Sequence, residues 1–270
     1  MEFNLAKFLR DGYLENFTVT EQTLEQINDF LTERETATNQ KLQQEEAEDD
    51  QLLLLNYIIR FDSRGYKPNE FSDLKKYYAQ ANNVERIIFT LDSNQSVNTN
   101  RLYGTHFEIR IDAKDPKNTF IQVSSDDGDA VDSVFSGLME IINKGKNKNW
   151  LVRNTWSQLI VQILGVAVGF VISLIAGLQA APHINIENSF VITFLFAFLI
   201  FSNAWGFINQ QILRFLEYTF PNVQFSRQGK SSLHWLSQAF VGGIVVAATL
   251  LMLGKVFNWV GEILGKYIGA

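Results

Sequence analysis

Residues 159–178 read LIVQILGVAVGFVISLIAGL, twenty positions without a charge. At ~1.5 Å of rise per residue this run makes ~30 Å of helix, the thickness of the hydrocarbon core of a bilayer. The lipid bilayer is therefore the expected partner of this part of the chain. A second apolar run, FVITFLFAFLIFSNAWGFI, occupies residues 190–208, and a third is uncharged over residues 231–254 and most apolar from Ala239 onward. Three spans are expected, at about 159–178, 190–208 and 239–258. Residues before 150 are soluble in character.

The net charge of -6 hides a division. Residues 1–143 hold 14 basic and 26 acidic residues, a net -12, whereas residues 144–270 hold 9 basic and 3 acidic, a net +6. Lys and Arg beside a span mark the cytoplasmic side, and Lys144, Lys146, Lys148 and Arg153 precede the first one. The connection over 179–189 has no Lys or Arg and is expected outside. That over 209–238 carries Arg214, Arg227 and Lys230 and is expected inside. The expected location is the inner (plasma) membrane, with the N-terminus cytoplasmic and the C-terminus outside. The opening MEFNLAKFLRDGYLENF has neither the apolar core nor the cleavage site of a secretory signal, so the first span is expected to act as its own insertion signal.

The fold class expected is an α+β cytoplasmic domain followed by an α-helical membrane domain with three transmembrane helices. Thr18 and Glu21 have capping-box spacing, and Leu24, Ile27, Phe30 and Leu31 then recur at helical period. Over residues 33–50 the stripe is lost and like charge accumulates, so 1–50 reads as an acidic helical arm, either solvated or facing a partner. Residues 51–143 read as a compact α+β domain. LLLLNYIIRF at 52–61 is a buried strand or the end of a helix, 71–80 is a helix capped by Asn69 or Ser72, and 86–91 is a strand. Phe107, Ile109 and Ile111 alternate with Glu108, Arg110 and Asp112. With a turn at 115–118 and a strand at 119–124, this predicts a hairpin with one wet face. Val131, Val134, Phe135, Leu138, Ile141 and Ile142 then form a helical stripe, preceded by Asp126, Asp127 and Asp129 as cap and dipole partners. A calcium loop would need an Asp-x-Asp-x-Asp-Gly order that is not there. Residues 144–158 read as a basic juxtamembrane linker and 159–270 as the transmembrane domain.

Enzyme chemistry finds little footing. The G-K-S at 229–231 lacks the upstream glycine of a phosphate-binding loop, no G-x-S-x-G or H-E-x-x-H occurs, and no cysteine is present. His106, His183 and His234 fall in three different predicted environments, so neither a metal nor another cofactor is expected. Within the spans, Gln162 and Asn203 lie at similar depth in the cytoplasmic leaflet. They suit a hydrogen bond between helices or a pore lining. Gly165 and Gly169 form a small-x3-small pattern expected to pack between subunits, while the second span, rich in Phe, suits a lipid-facing position. Lys255 is expected to snorkel to the headgroups or to ring an outer pore mouth. The stretch at 208–219 reads as a helix leaving the membrane, or lying on it, until Pro221. It is the natural coupler between the two domains.

Arg60, Arg64, Tyr66 and Lys67, with Lys75 and Lys76 on the following helix, make a basic patch with aromatics inside an acidic domain. Such a patch suits an anionic ligand able to stack, such as a nucleotide or a short single-stranded oligonucleotide; duplex nucleic acid is disfavoured by the domain's charge. An ordinary solvated turn at Gly65-Tyr66-Lys67-Pro68 is the alternative.

A soluble domain followed by Trp156 and a few spans, without enzyme motifs, resembles the small bacterial membrane effectors of anti-phage defence. The resemblance is one of architecture and carries no diagnostic motif. It implies a homo-oligomeric channel or pore that opens when the cytoplasmic domain receives a signal. A membrane-anchored adaptor that recruits a cytoplasmic partner is the other expectation.

Overall fold

The computed structural model describes residues 7–46, 49–226 and 239. In chain order they form β1 (Phe8–Tyr13), β2 (Phe17–Val19), α1 (Glu21–Gln44), β3 (Leu53–Phe61), β4 (Arg64–Tyr66), α2 (Phe71–Gln80), β5 (Val84–Ser93), α3 (Asn94–Asn98), β6 (His106–Asp112), β7 (Phe120–Ser125), α4 (Gly128–Lys144), α5 (Trp150–Arg153), α6 (Thr155–Ala180), α7 (Ser189–Thr219) and β8 (Val223–Phe225). An α+β region with an antiparallel sheet is thus followed by two long apolar helices.

The sheet has six strands in the order β1-β7-β6-β5-β3-β4, every neighbouring pair antiparallel. Side chains alternate across a strand, so one face collects Leu55, Tyr57 and Ile59, then Ile87, Phe89 and Leu91, then Phe107, Ile109 and Ile111, then Ile121 and Val123. Leu24, Ile27 and Leu31 of α1, Leu74 and Tyr78 of α2, and Val131, Val134, Phe135 and Leu138 of α4 close over that face as one core. Of the 52–61 stretch, Leu53–Phe61 is strand, with alternate side chains buried and Leu54 and Ile58 left exposed. The cap of α1 lies two residues beyond the Thr18–Glu21 pair: the Thr23 N–H donates to Thr20 Oγ1 (3.1 Å) and the Thr20 N–H to Thr23 Oγ1 (3.3 Å). α2 begins after Glu70 without a side-chain cap, and α4 is capped by Asp127, which accepts from the N–H groups of Asp129 and Ala130.

Two expectations are corrected. Residues 8–44 do not stand off as an arm, because β1 is a strand of the sheet and α1 contributes to its core. Even the polar second half of α1 is used. β4 reaches only the end of β3, leaving its outer edge open, and there the Asn39 amide both donates to the Leu53 carbonyl (2.9 Å) and accepts from the Leu53 N–H (2.8 Å). Glu35 accepts from the Leu55 N–H (3.1 Å). A side chain at helical spacing thus imitates the missing strand, which a periodicity of apolar residues cannot reveal.

The predicted wet face of the 107–124 hairpin is the second correction. Glu108 and Asp112 are each only 2% exposed. They are buried because arginines pair with them: Arg86 with Asp112 (2.6 Å), and Arg101 and Arg110 with Glu108 (3.2 and 3.0 Å). His106, equally buried, lies 2.5 Å from Asp92 through Nδ1 and 3.5 Å from Glu108 through Nε2.

That cluster sets a pH window. Burial alone pulls the His106 imidazole toward its neutral form, but the bonds to Asp92 and Glu108 outweigh it, and its pKa is raised. Burial likewise pushes Glu108 up, and is outweighed by the His106 bond and the charges of Arg110 and Arg101, so its pKa is lowered. The histidine's contribution to stability is complete below its unfolded pKa of about 6.5 and is lost as pH rises through its folded value. The glutamate's contribution is present above about 4.3 and is lost as pH falls through its folded value. Chemical denaturation across pH should therefore show stability declining above about pH 6.5, and His106→Asn should flatten that decline.

α6 and α7 form an antiparallel pair, each long and apolar enough to cross a membrane. Of their most apolar windows, only 17% and 0% of residues are buried within the described chain, unlike the core helices of a soluble protein. Ile163, Phe196 and Leu199 are all more than half exposed. The third expected span, 239–258, lies outside the described residues apart from residue 239.

Candidate functional site

The place where the α+β region meets the apolar hairpin is built around one short strand. β2 is only three residues long, yet Phe17 and Val19 are fully buried and it is held from both sides. On one side it pairs in parallel with β8, the segment that follows α7, in the register Phe17↔Val223, Thr18↔Gln224 and Val19↔Phe225. On the other side it meets the segment that leads toward α6. The Thr18 N–H donates to the Gly145 carbonyl (2.8 Å), and the Asn147 N–H donates to the Asn16 carbonyl (2.8 Å). Both ends of the hairpin therefore grip the same strand, and that strand runs through Thr20 into α1.

Side chains complete the clasp. Asn222, 4% exposed, accepts from the Asn16 N–H through Oδ1 (2.9 Å), donates to the Leu14 carbonyl through Nδ2 (3.2 Å), and offers its own carbonyl to the Phe17 N–H (3.1 Å). The Tyr78 hydroxyl of α2 lies within hydrogen-bond reach of the Val19 and Ser226 carbonyls (3.1 and 3.0 Å). The lead-in and the outgoing segment also bond directly: Asn149 Nδ2 donates to the Pro221 carbonyl (2.9 Å) and Arg153 to that of Phe220 (3.1 Å). Arg153, expected to mark a membrane face, thus also ties the two hairpin ends together. Gly145 is demanded by the closeness of the packing, since a Cβ there would lie 2.7 Å from the Thr18 carbonyl oxygen.

The coupler expected over 208–219 is helical and continuous with the second span, because α7 runs unbroken to Thr219. The attachment itself lies just beyond it, in residues 220–226. In the sequence Pro221 carried only a stop signal, and Asn222 carried none. Nothing local distinguishes a three-residue parallel pairing made across more than 200 positions.

Within the hairpin, Gly165 and Gly169 face α7 of the same chain, which corrects their expected place between subunits. A methyl group at 165 would overlap the Trp205 indole and one at 169 the Phe201 ring, while at Gly177 it would lie 3.2 Å from Phe190 and Phe194. With the buried Ser173 they form a groove of small residues that receives the aromatic side of α7. That span is therefore not given over to lipid on all sides. Gln162 and Asn203 are not bonded to each other: both are exposed, and Asn203 donates to the Leu199 carbonyl one turn back on its own helix (3.0 Å). Lys255 lies outside the described residues.

The basic patch is divided by its neighbours. Arg60 is paired with Glu85 (3.0 Å), which also receives Lys114 (3.0 Å), and Lys75 is held by Glu21 and Glu25 of α1 (3.3 and 2.5 Å). Tyr66 packs with Phe61 and Tyr77 in a triangle of rings, its centroid 4.9 Å from each of theirs, which are 6.0 Å apart. Arg64, Lys67 and Lys76 are exposed and have no ion pair among the described residues. No cluster of three or more His, Asp or Glu among the described residues forms a metal site.

No family model, curated protein or solved structure matches this chain.

Proposed function

We propose that the chain is a subunit of an oligomeric membrane channel or pore-type effector whose hairpin is controlled by the α+β domain, as in bacterial defence systems. The observation that carries this reading is the clasp on β2. A domain that is merely tethered to a bilayer needs only a flexible linker, whereas here both ends of the apolar hairpin are hydrogen-bonded to the strand that feeds α1. A shift of α1 is then transmitted to both helices together. α1 is in turn held to α2 by the Lys75 pairs with Glu21 and Glu25, which supports an input on the α1–α2 surface. Arg64, Lys67 and Lys76 supply positive charge near that surface for an anionic signal such as a nucleotide or short oligonucleotide.

Two or three helices cannot enclose a conduit, so several copies are required. The exposed amides of Gln162 and Asn203 fit this reading, because amides in hydrocarbon face protein or water. Expression in a bacterial host should collapse the membrane potential, followed with a potential-sensitive dye, and detergent-solubilised protein should have the mass of an oligomer. A monomer that leaves the potential intact and captures a cytoplasmic protein would instead establish a membrane-anchored adaptor.

A further inference from the structure

We propose that β1 is the surface through which two copies of the soluble region join, by antiparallel pairing of β1 with its own copy centred on Leu9. β1 is an edge of the six-stranded sheet and, among the described residues, only β7 pairs with it. The Leu14 N–H donates to the Thr119 carbonyl, in line with the register Tyr13↔Phe120. Hydrogen bonding alternates along an antiparallel pair, so Phe8, Arg10 and Gly12 bond toward β7 and the N–H and C=O groups of Leu9, Asp11 and Tyr13 point outward. Leu9 is 60% and Tyr13 68% exposed, a long apolar edge of the kind that invites another strand.

Two identical strands related by a two-fold axis must place one residue opposite itself, and the charges on β1 choose among the few centres. Centring on Arg10 sets Arg10 against Arg10, and centring on Asp11 sets Asp11 against Asp11; like charges directly opposite are destabilising. Centring on Gly12 gives Asp11 a Tyr13 partner and matches no charge. Centring on Leu9 sets Leu9 against Leu9, Lys7 against Asp11, and Phe8 against Arg10. Every pair then has a complementary partner.

The geometry agrees on two further points. Leu9 carries outward-pointing backbone groups, so the central pair exchanges two N–H···O bonds. Arg10 already lies on the helix side of the sheet, 4.3 Å above the Phe135 ring and 2.7 Å from Asp132. The partner's Phe8 would arrive on that same side, where the guanidinium can take a second ring. The interface depends on the oligomeric reading above only in requiring more than one copy.

The chain contains no cysteine, which makes the test direct. In a hydrogen-bonded antiparallel pair the facing Cα atoms are ~5.5 Å apart, within the range of a disulfide. Full-length Leu9→Cys in detergent, treated with a mild oxidant, should run as a disulfide-linked dimer. Asp11→Cys should not link to itself, its copies being ~13 Å apart along the strands, but should link to Lys7→Cys when the two proteins are mixed. Lys7→Glu should weaken the dimer and Lys7→Glu with Asp11→Lys should restore it. If Leu9→Cys fails to link while the protein keeps an oligomer's mass, this interface is wrong and the channel reading survives. Linking at Asp11→Cys alone overturns the register, and a strict monomer overturns both proposals.

Discussion

Gly165→Leu should prevent α6 and α7 from closing against each other. The space beside residue 165 is filled by the Trp205 indole, stacked in turn on Phe201 with ring centroids 6.1 Å apart, so an isobutyl group has nowhere to go without moving a helix. Overpacking of this kind costs roughly 3 kcal/mol. Because the chain lacks cysteine, pairs introduced across the hairpin report its closure by disulfide formation, and their yield should fall several-fold in the variant. Adding Trp205→Ala removes the obstruction and should restore much of that yield. A substitution at Gly206, whose Cβ would meet nothing within 4 Å, should leave the hairpin closed.

Asn222→Ala should open the clasp. It leaves the Asn16 N–H and the Leu14 carbonyl without their side-chain partner in a buried place, at a cost of about 2–4 kcal/mol for the two groups together. Gly145→Val acts from the other side, driving a side chain into the Thr18 carbonyl. In both variants the sheet and the α1–α4 core are untouched, so the loss should be local. Hydrogen exchange should quicken at the amides of Phe17 and Thr18 and stay slow at those of β5 and β6.

How much of this was legible in the sequence depends on the distance over which each signal acts. Elements written in local periodicity were readable: the stripe of α4, the β6–β7 alternation, and the uncharged runs that became α6 and α7. What failed needed knowledge of who sits opposite. Glu108 and Asp112 look solvated until Arg86 is placed across the sheet from Asp112 and Arg101, from the segment before β6, joins Arg110 of the same strand at Glu108. Gly165 and Gly169 look like a subunit contact until α7 supplies Phe201 and Trp205. Asn39 looks like a surface residue until the open edge of β3 lies beside it. The basic patch suffered in the same way: Arg60 and Lys75 are spoken for by acids 25 and 50 positions away, and Tyr66 by two rings, which leaves Arg64, Lys67 and Lys76 as the exposed remainder. The clasp on β2 was the least legible of all. Its strands are three residues long, and its specificity lies in Asn222 and Gly145, residue types that signal nothing but a turn.

We propose that the α+β domain governs the apolar hairpin through β2. The most direct measurement is membrane potential in cells expressing wild-type protein or Asn222→Ala at matched levels, with membrane insertion and oligomer mass determined for each. The wild type should depolarise the cells, and Asn222→Ala, inserted and assembled as well as the wild type, should not. Equal depolarisation by the two proteins would overturn control through β2.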